Sequence, residues 1–187
     1  MKILVVVAHG RANSLTRQVA EAFALSAREK GHEVEVADLV KERFDPVLTE
    51  VDEPDWNDPD KTYSEAVRRE MARIERNEAT VMVFPVWWWS MPAILKGWID
   101  RVWNHGWAYG PRSYPHKRVL MIAIAGNGRE TYEKRDYDKA MQLQLATGIL
   151  DYCGVEDGRL ETLYGAIEGN DAPNQILHSA SALGAAF

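Results

Sequence analysis

The chain has 187 residues, 46% of them hydrophobic, which is one domain's worth with a sizeable core. Its 28 acidic residues outnumber 22 basic ones for a net charge of −6, and no long basic run offers a polyanion a hold, which argues against nucleic acid as a partner. A single cysteine, Cys153, excludes an internal disulfide and a cysteine-based zinc cage, and reads as a small buried hydrophobe.

The N-terminus, MKILVVVAHG, carries one lysine and an apolar run too short for a signal peptide or a membrane span, so a cytoplasmic protein that is not integral to a membrane is expected. Lys2 to Ala8 reads as the first strand. Ser14 then caps a helix with Leu15, Val19, Ala22 and Phe23 on one face, stopped at Gly31. Glu33 to Asp38 is the second strand, and Leu39 to Lys61, acidic and proline-bearing, is expected as a long surface loop. Thr62 with Glu65 reads as a capping box ahead of Val67, Met71 and Ile74. A third strand over Ala79 to Phe84 is followed by a helix with Pro92 in its first turn. Arg118 to Ala125 is the fourth strand, and Ala140, Leu143, Thr147 and Leu150 form a helical stripe after it. Gly158 to Tyr164 is the fifth strand, and Pro173 opens a last helix carrying Ile176, Leu177, Ala180 and Leu183. Strands alternating with helices imply a single α/β domain over residues 1–187, a parallel sheet covered on both faces.

Six of the seven tryptophans lie between Trp87 and Trp107, directly after the third strand. Pro85 to Ser90 should be the loop at that strand's carboxyl end, the edge where open α/β sheets bind ligands. Trp87, Trp88 and Trp89 are hard to bury in one core, because side chains alternate along an extended segment, and they suit a flat aromatic ligand. Trp98 and Trp103, on the next helix, read as packing. The loop after the first strand, His9 to Thr16, lacks both the G-x-G-x-x-G fingerprint and the Walker lysine pattern. It delivers Ser14 and Thr16 to a helix start that favours a phosphate, and Ser14 as cap and as phosphate ligand are compatible roles. Ala125, Gly126, Asn127 and Gly128 end the fourth strand, either as an ordinary turn or as a loop whose amides approach a ring edge. In the strand order 2-1-3-4-5 these loops converge on a crevice that holds FMN in flavodoxin. The histidines show no metal-ligand spacing, and His105 and His116 read as exposed or capping residues.

The segment PVWWWSMPAILKGWIDRV resembles the flavin-binding motif of the NAD(P)H:quinone oxidoreductases of DT-diaphorase type, and its continuation NHGWAYG is similar to the short bacterial branch that includes ancillary quinone reductases of potassium-efflux systems. VVVAHGRANSLT and DLVKERFDPVLT fit the same family. The resemblance implies a flavodoxin-like three-layer sandwich, a bound flavin, FMN with FAD as the alternative, and NADH or NADPH as electron donor. It implies a quinone or similar flat acceptor, and a homodimer with its active sites at the subunit interface. By position, His9, Ser14, Leu15 and Thr16 would hold the phosphate end, Pro85, Val86, Trp87, Trp88 and Trp89 would lie along the ring, and Ala125 to Gly128 would close the other side. The Tyr109 to Tyr114 loop corresponds to one that walls the facing subunit's substrate pocket, with plain surface loop as the alternative. The chain departs from the family in having Ala-Gly-Asn-Gly where Thr-Thr-Gly-Gly is frequent. The tyrosine and histidine that assist hydride transfer in the mammalian enzymes have no aligned counterparts, and Tyr132 and Tyr137 are the candidates nearby. Expected is two-electron reduction of quinones by a ping-pong hydride mechanism. The rivals are a flavodoxin-type electron carrier and a regulatory subunit docked on a membrane transporter.

Overall fold

A computed structural model describes residues 1–187. Strands β1 (Lys2–Val7), β2 (Glu33–Asp38), β3 (Ala79–Pro85), β4 (Arg118–Ile124) and β5 (Asp157–Leu163) form one parallel sheet in the order 2-1-3-4-5. The central strands are apolar on both faces because helices cover both. Along β1, Ile3, Val5 and Val7 enter one core while Leu4 and Val6 enter the other, as the two-residue period of a strand demands. Each such fully buried side chain contributes about 1.5–3 kcal/mol.

Helices α1 (Leu15–Glu29) and α6 (Ala172–Ala186) cover one face. They approach so closely that a Cβ on Gly184 would lie 2.2 Å from the Phe23 carbonyl oxygen. The other face carries α2 (Glu65–Glu75), α3 (Ala93–Val102), the short helices α4 (Arg129–Glu133) and α5 (Tyr137–Met141), and a π-helix over Gln142–Asp151. Trp98 and Trp103 are buried there, and the Trp98 indole N–H donates to the buried Glu70 carboxylate at 3.1 Å.

Three expectations need correction. The cap of α2 is Ser64, whose hydroxyl accepts from the Val67 N–H, so the Thr62–Glu65 box does not form. The stripe expected at Ala140, Leu143, Thr147 and Leu150 is shifted: burial falls at Met141, Leu145, Ala146 and Leu150, and Leu143 is exposed. The π-helix causes this, since its bonds span five residues, as from Tyr152 N–H to the Thr147 carbonyl, and its wider turn moves the buried face off a 3.6-residue template. The segment after β2 is not simply draped over the surface. Asp52, in a 3₁₀ turn (Glu50–Asp52), accepts from Ser64 N–H at 2.8 Å and pairs with the buried Arg101 of α3 at 2.7 Å, pinning the loop to the core.

Candidate functional site

Because β1, β3 and β4 are adjacent and parallel, the loops after them meet at one edge of the sheet. Ser14 caps α1 through its hydroxyl, which accepts from the Arg17 N–H at 3.3 Å. The amides of Leu15 and Thr16 at the same helix start have no acceptor in the protein. His9 Nδ1 accepts from the Arg11 N–H at 3.0 Å, which leaves the ring proton on Nε2. Burial, then the nearby Arg11 and Arg17 charges, hold the His9 pKa below its usual value, so the ring stays neutral. Arg17 itself is paired with Asp38 at 2.7 Å.

After β3 the chain makes a tight turn. The N–H of Trp87 donates to the Ser90 carbonyl at 3.0 Å and the N–H of Ser90 returns to Trp87 at 3.1 Å. Trp88 and Trp89, between them, have φ of 52° and 55°, the positive values that a primed turn requires at both central positions. Bulky side chains seldom adopt that region, and each residue held there costs about 1–3 kcal/mol. The turn leaves Trp87 48%, Trp88 88% and Trp89 37% exposed, and leaves the Trp88 and Trp89 amides without protein acceptors. The expectation that these three indoles do not share one core holds.

The loop after β4 is fastened from behind. Gly165, Ala166 and Ile167 donate to the carbonyls of Asn127, Ala125 and Gly126, so those carbonyls face away from the crevice. The Gly128 N–H is taken by Glu168 at 2.6 Å, while the amides of Gly126 and Asn127 remain unpaired. Three pairs of unpaired amides, one on each loop, thus gather at the switch point of the sheet. That set suits a phosphate at the α1 start and a polar ring edge between the tryptophan turn and the Gly126 loop, so the residues fit a flavin.

The candidate catalytic tyrosines stand beside this crevice. Tyr137 lies against Trp89 with ring centroids 4.1 Å apart, and Tyr132 packs edge-on to Tyr137 and Tyr164 at 6.0 and 5.2 Å. Burial, then Tyr164, pushes the Tyr132 phenol pKa up, so its oxygen keeps the proton at neutral pH. The two tyrosines expected at a substrate pocket are separated by the fold. Tyr109 is half-buried among Trp56, His105 and Tyr152. Tyr114 is 4% exposed, stacked on Trp103 at 3.9 Å with its hydroxyl 2.8 Å from Thr80 Oγ1 at the start of β3, the opposite end of the sheet from the crevice. It is a core residue. His116 is buried and takes the capping alternative: Nε2 sits 2.9 and 2.8 Å from the Ile74 and Asn77 carbonyls at the C-terminal end of α2. Those acceptors require N–H at Nε2, so Thr80 donates to Nδ1 and Tyr114 donates to Thr80.

Comparison with known proteins agrees with this fold. A family model described as having a flavodoxin-like fold matches residues 1–185. An uncharacterized NAD(P)H oxidoreductase of Escherichia coli (strain K12), YcaK, is 40% identical over 157 residues, covering 83% of this chain and 80% of that protein. NAD(P)H dehydrogenase (quinone) 1 of Cavia porcellus is 27% identical over 190 residues, covering 88% of this chain and 68% of that protein. Among solved structures, an NAD(P)H:quinone oxidoreductase from Methanothermobacter marburgensis superposes with a TM-score of 0.89 at 29% identity, covering 99% of this chain and 98% of that one.

Proposed function

Since the chain belongs to the flavodoxin-like family that includes NAD(P)H:quinone oxidoreductases, we propose that it is a flavin-dependent enzyme that takes a hydride from NADH or NADPH and passes two electrons to a quinone or similar flat acceptor. The observation that carries this reading is the tryptophan turn: strained backbone and exposed indoles, kept beside unpaired amides at the switch point of the sheet. A pure electron carrier needs no substrate pocket, and indoles this exposed beside the ring site leave room for one.

The flavin would supply the hydride chemistry, and the protein would orient it and tune its electronics. FMN is the proposed form: the Leu15 and Thr16 amides, with the Ser14 and Thr16 hydroxyls, gather at one helix start and suit one phosphate. Trp88, Trp89, Gly126 and Asn127 would direct N–H groups at the polar ring edge, where they stabilise negative charge. Trp88, Trp89 and Tyr137 would wall the open ring face. Tyr132 would hold a proton on its phenolic oxygen for donation. Donor and acceptor would use the same face in turn, which gives ping-pong kinetics. In the proposed homodimer, the loop bearing Tyr109 faces the partner's flavin.

Purified protein should show a flavin absorbance spectrum, release FMN by mass, and oxidise NADH or NADPH in the presence of a quinone with parallel double-reciprocal lines. Protein without flavin, or flavin-loaded protein that does not couple NAD(P)H oxidation to quinone reduction, overturns the reading in favour of a carrier or a regulatory subunit. Stoichiometric FAD overturns the FMN assignment alone.

A further inference from the structure

The sheet has two free edges, and they differ. At the β4–β5 border the Asp157 N–H donates to Lys117 and the Ala125 N–H to Leu163. In a parallel ladder this commits the backbone of Asp157, Arg159, Glu161 and Leu163 to β4 and turns that of Gly158, Leu160 and Thr162 outward. No other backbone group answers that outward row. A groove of about 750 Å³ on the α6 side and another of about 470 Å³ on the π-helix side flank it, and both are lined by Glu161 and Thr162. An edge left open in this way is a template for another strand, whose alternate side chains would enter the two grooves.

We propose that β5 pairs antiparallel with β5 of a second copy about a twofold axis at Leu160, joining two sheets into one. Leu160 is the midpoint of Asp157–Leu163, so this register uses the whole strand. It sets Leu160 opposite Leu160 and Gly158 opposite Thr162 as hydrogen-bonded pairs. Arg159 then faces Glu161 of the partner subunit, twice by symmetry, at the closer non-hydrogen-bonded positions about 4.5 Å apart at Cα. Opposite charges there stabilise the pair. Sliding by one step in either direction sets Arg159 against Arg159 or Glu161 against Glu161, which like-charge repulsion opposes. One register is therefore selected by length and charge together. The other edge, β2, reads EVEVAD and carries no basic residue, so no antiparallel self-pairing of it gives an opposite-charge pair. The β5 contact is separate from the Tyr109 loop and does not depend on flavin or activity.

The test is site-directed cross-linking. A Leu160→Cys variant places two thiols at Cα positions about 5.5 Å apart, within the span a disulfide bridges. Mild oxidation should convert it to a covalent dimer on non-reducing electrophoresis, while wild type, whose Cys153 is buried, stays monomeric there. Ile167→Cys, at a position 77% exposed, should not cross-link and controls for random collision. Adding Arg159→Glu to Leu160→Cys should weaken association about tenfold, and adding Glu161→Arg to both should restore the yield. Near-UV circular dichroism checks that each variant is folded. Absence of the Leu160→Cys dimer, equal cross-linking at Ile167→Cys, or a double swap that does not rescue would overturn the proposal.

Discussion

Trp89 and Tyr137 pack against each other in a tilted pair, ring centroids 4.1 Å apart and 34° between their planes, so the strained turn after β3 is braced by the first residue of α5. Aromatic pairs of this kind contribute about 0.5–1.5 kcal/mol. Tyr137→Leu should raise the Michaelis constant for quinones about three- to tenfold with flavin retained. Tyr137→Phe should not. Equal effects in steady-state assays would mean that the hydroxyl, not the stack, is what matters.

Trp88 combines a positive φ with an indole that touches little of the protein. Trp88→Gly removes strain of about 1–3 kcal/mol, offset by about 0.5–1 kcal/mol of added freedom in the unfolded chain. The variant should gain about 1 kcal/mol in urea unfolding and lose acceptor affinity. A loss of stability would show that the turn is not strained.

Ser14 and Thr16 stand at the start of α1, and only the Ser14 hydroxyl serves the backbone as a cap. Loss of a cap costs about 1 kcal/mol. The Ser14→Ala/Thr16→Ala double variant should stay folded and be purified without flavin. Full flavin occupancy by absorbance would reduce both side chains to structural roles.

The Asp52–Arg101 pair is buried, and Arg101 also reaches the Asp45 carbonyl. Arg101 and Ser64 hold the Asp52 carboxyl below the usual carboxylate range, against the opposing effect of burial. Removing one partner strands a buried charge, so Arg101→Met should destabilise the fold by about 3–5 kcal/mol in denaturant titration. Asp52 has a depressed folded pKa, so its contribution is complete above its unfolded value of 3.8 and disappears as pH falls through the lower folded value.

His116 is neutral in the fold, its pKa lowered chiefly by burial. The unfolded chain takes up a proton first, so the stability tied to His116 is complete above pH 6.5 and is lost as pH falls from there toward the depressed folded value. Unfolding midpoints of wild type should therefore drop between pH 7.5 and about pH 5.5 more than those of His116→Gln. Parallel curves for the two proteins would place the titration elsewhere.

The sequence by itself determined the strands, their alternation with helices and the ligand edge. Those features rest on local period: β3 reads as an apolar run broken only by Thr80 because both its faces are covered, and Trp87 to Trp89 fall where an extended segment cannot turn three indoles the same way. Ser14 was legible for the same reason, since a cap is a local device. Only the tertiary structure decided the rest. Tyr114 ends a glycine-bearing loop that reads as pocket wall or plain surface, and its hydroxyl finds Thr80, 34 residues earlier in the chain. His116 is buried because α2 ends with the Ile74 and Asn77 carbonyls above it, acceptors that leave no mark on its own neighbours. The π-helix moved the buried stripe because its wider turns, sustained over Gln142–Asp151, shift the helical phase. Backbone period and capping act over a few residues and are written in order along the chain. Which distant polar groups meet in the core depends on how the layers pack, and that is settled only when the sheet and helices close on one another.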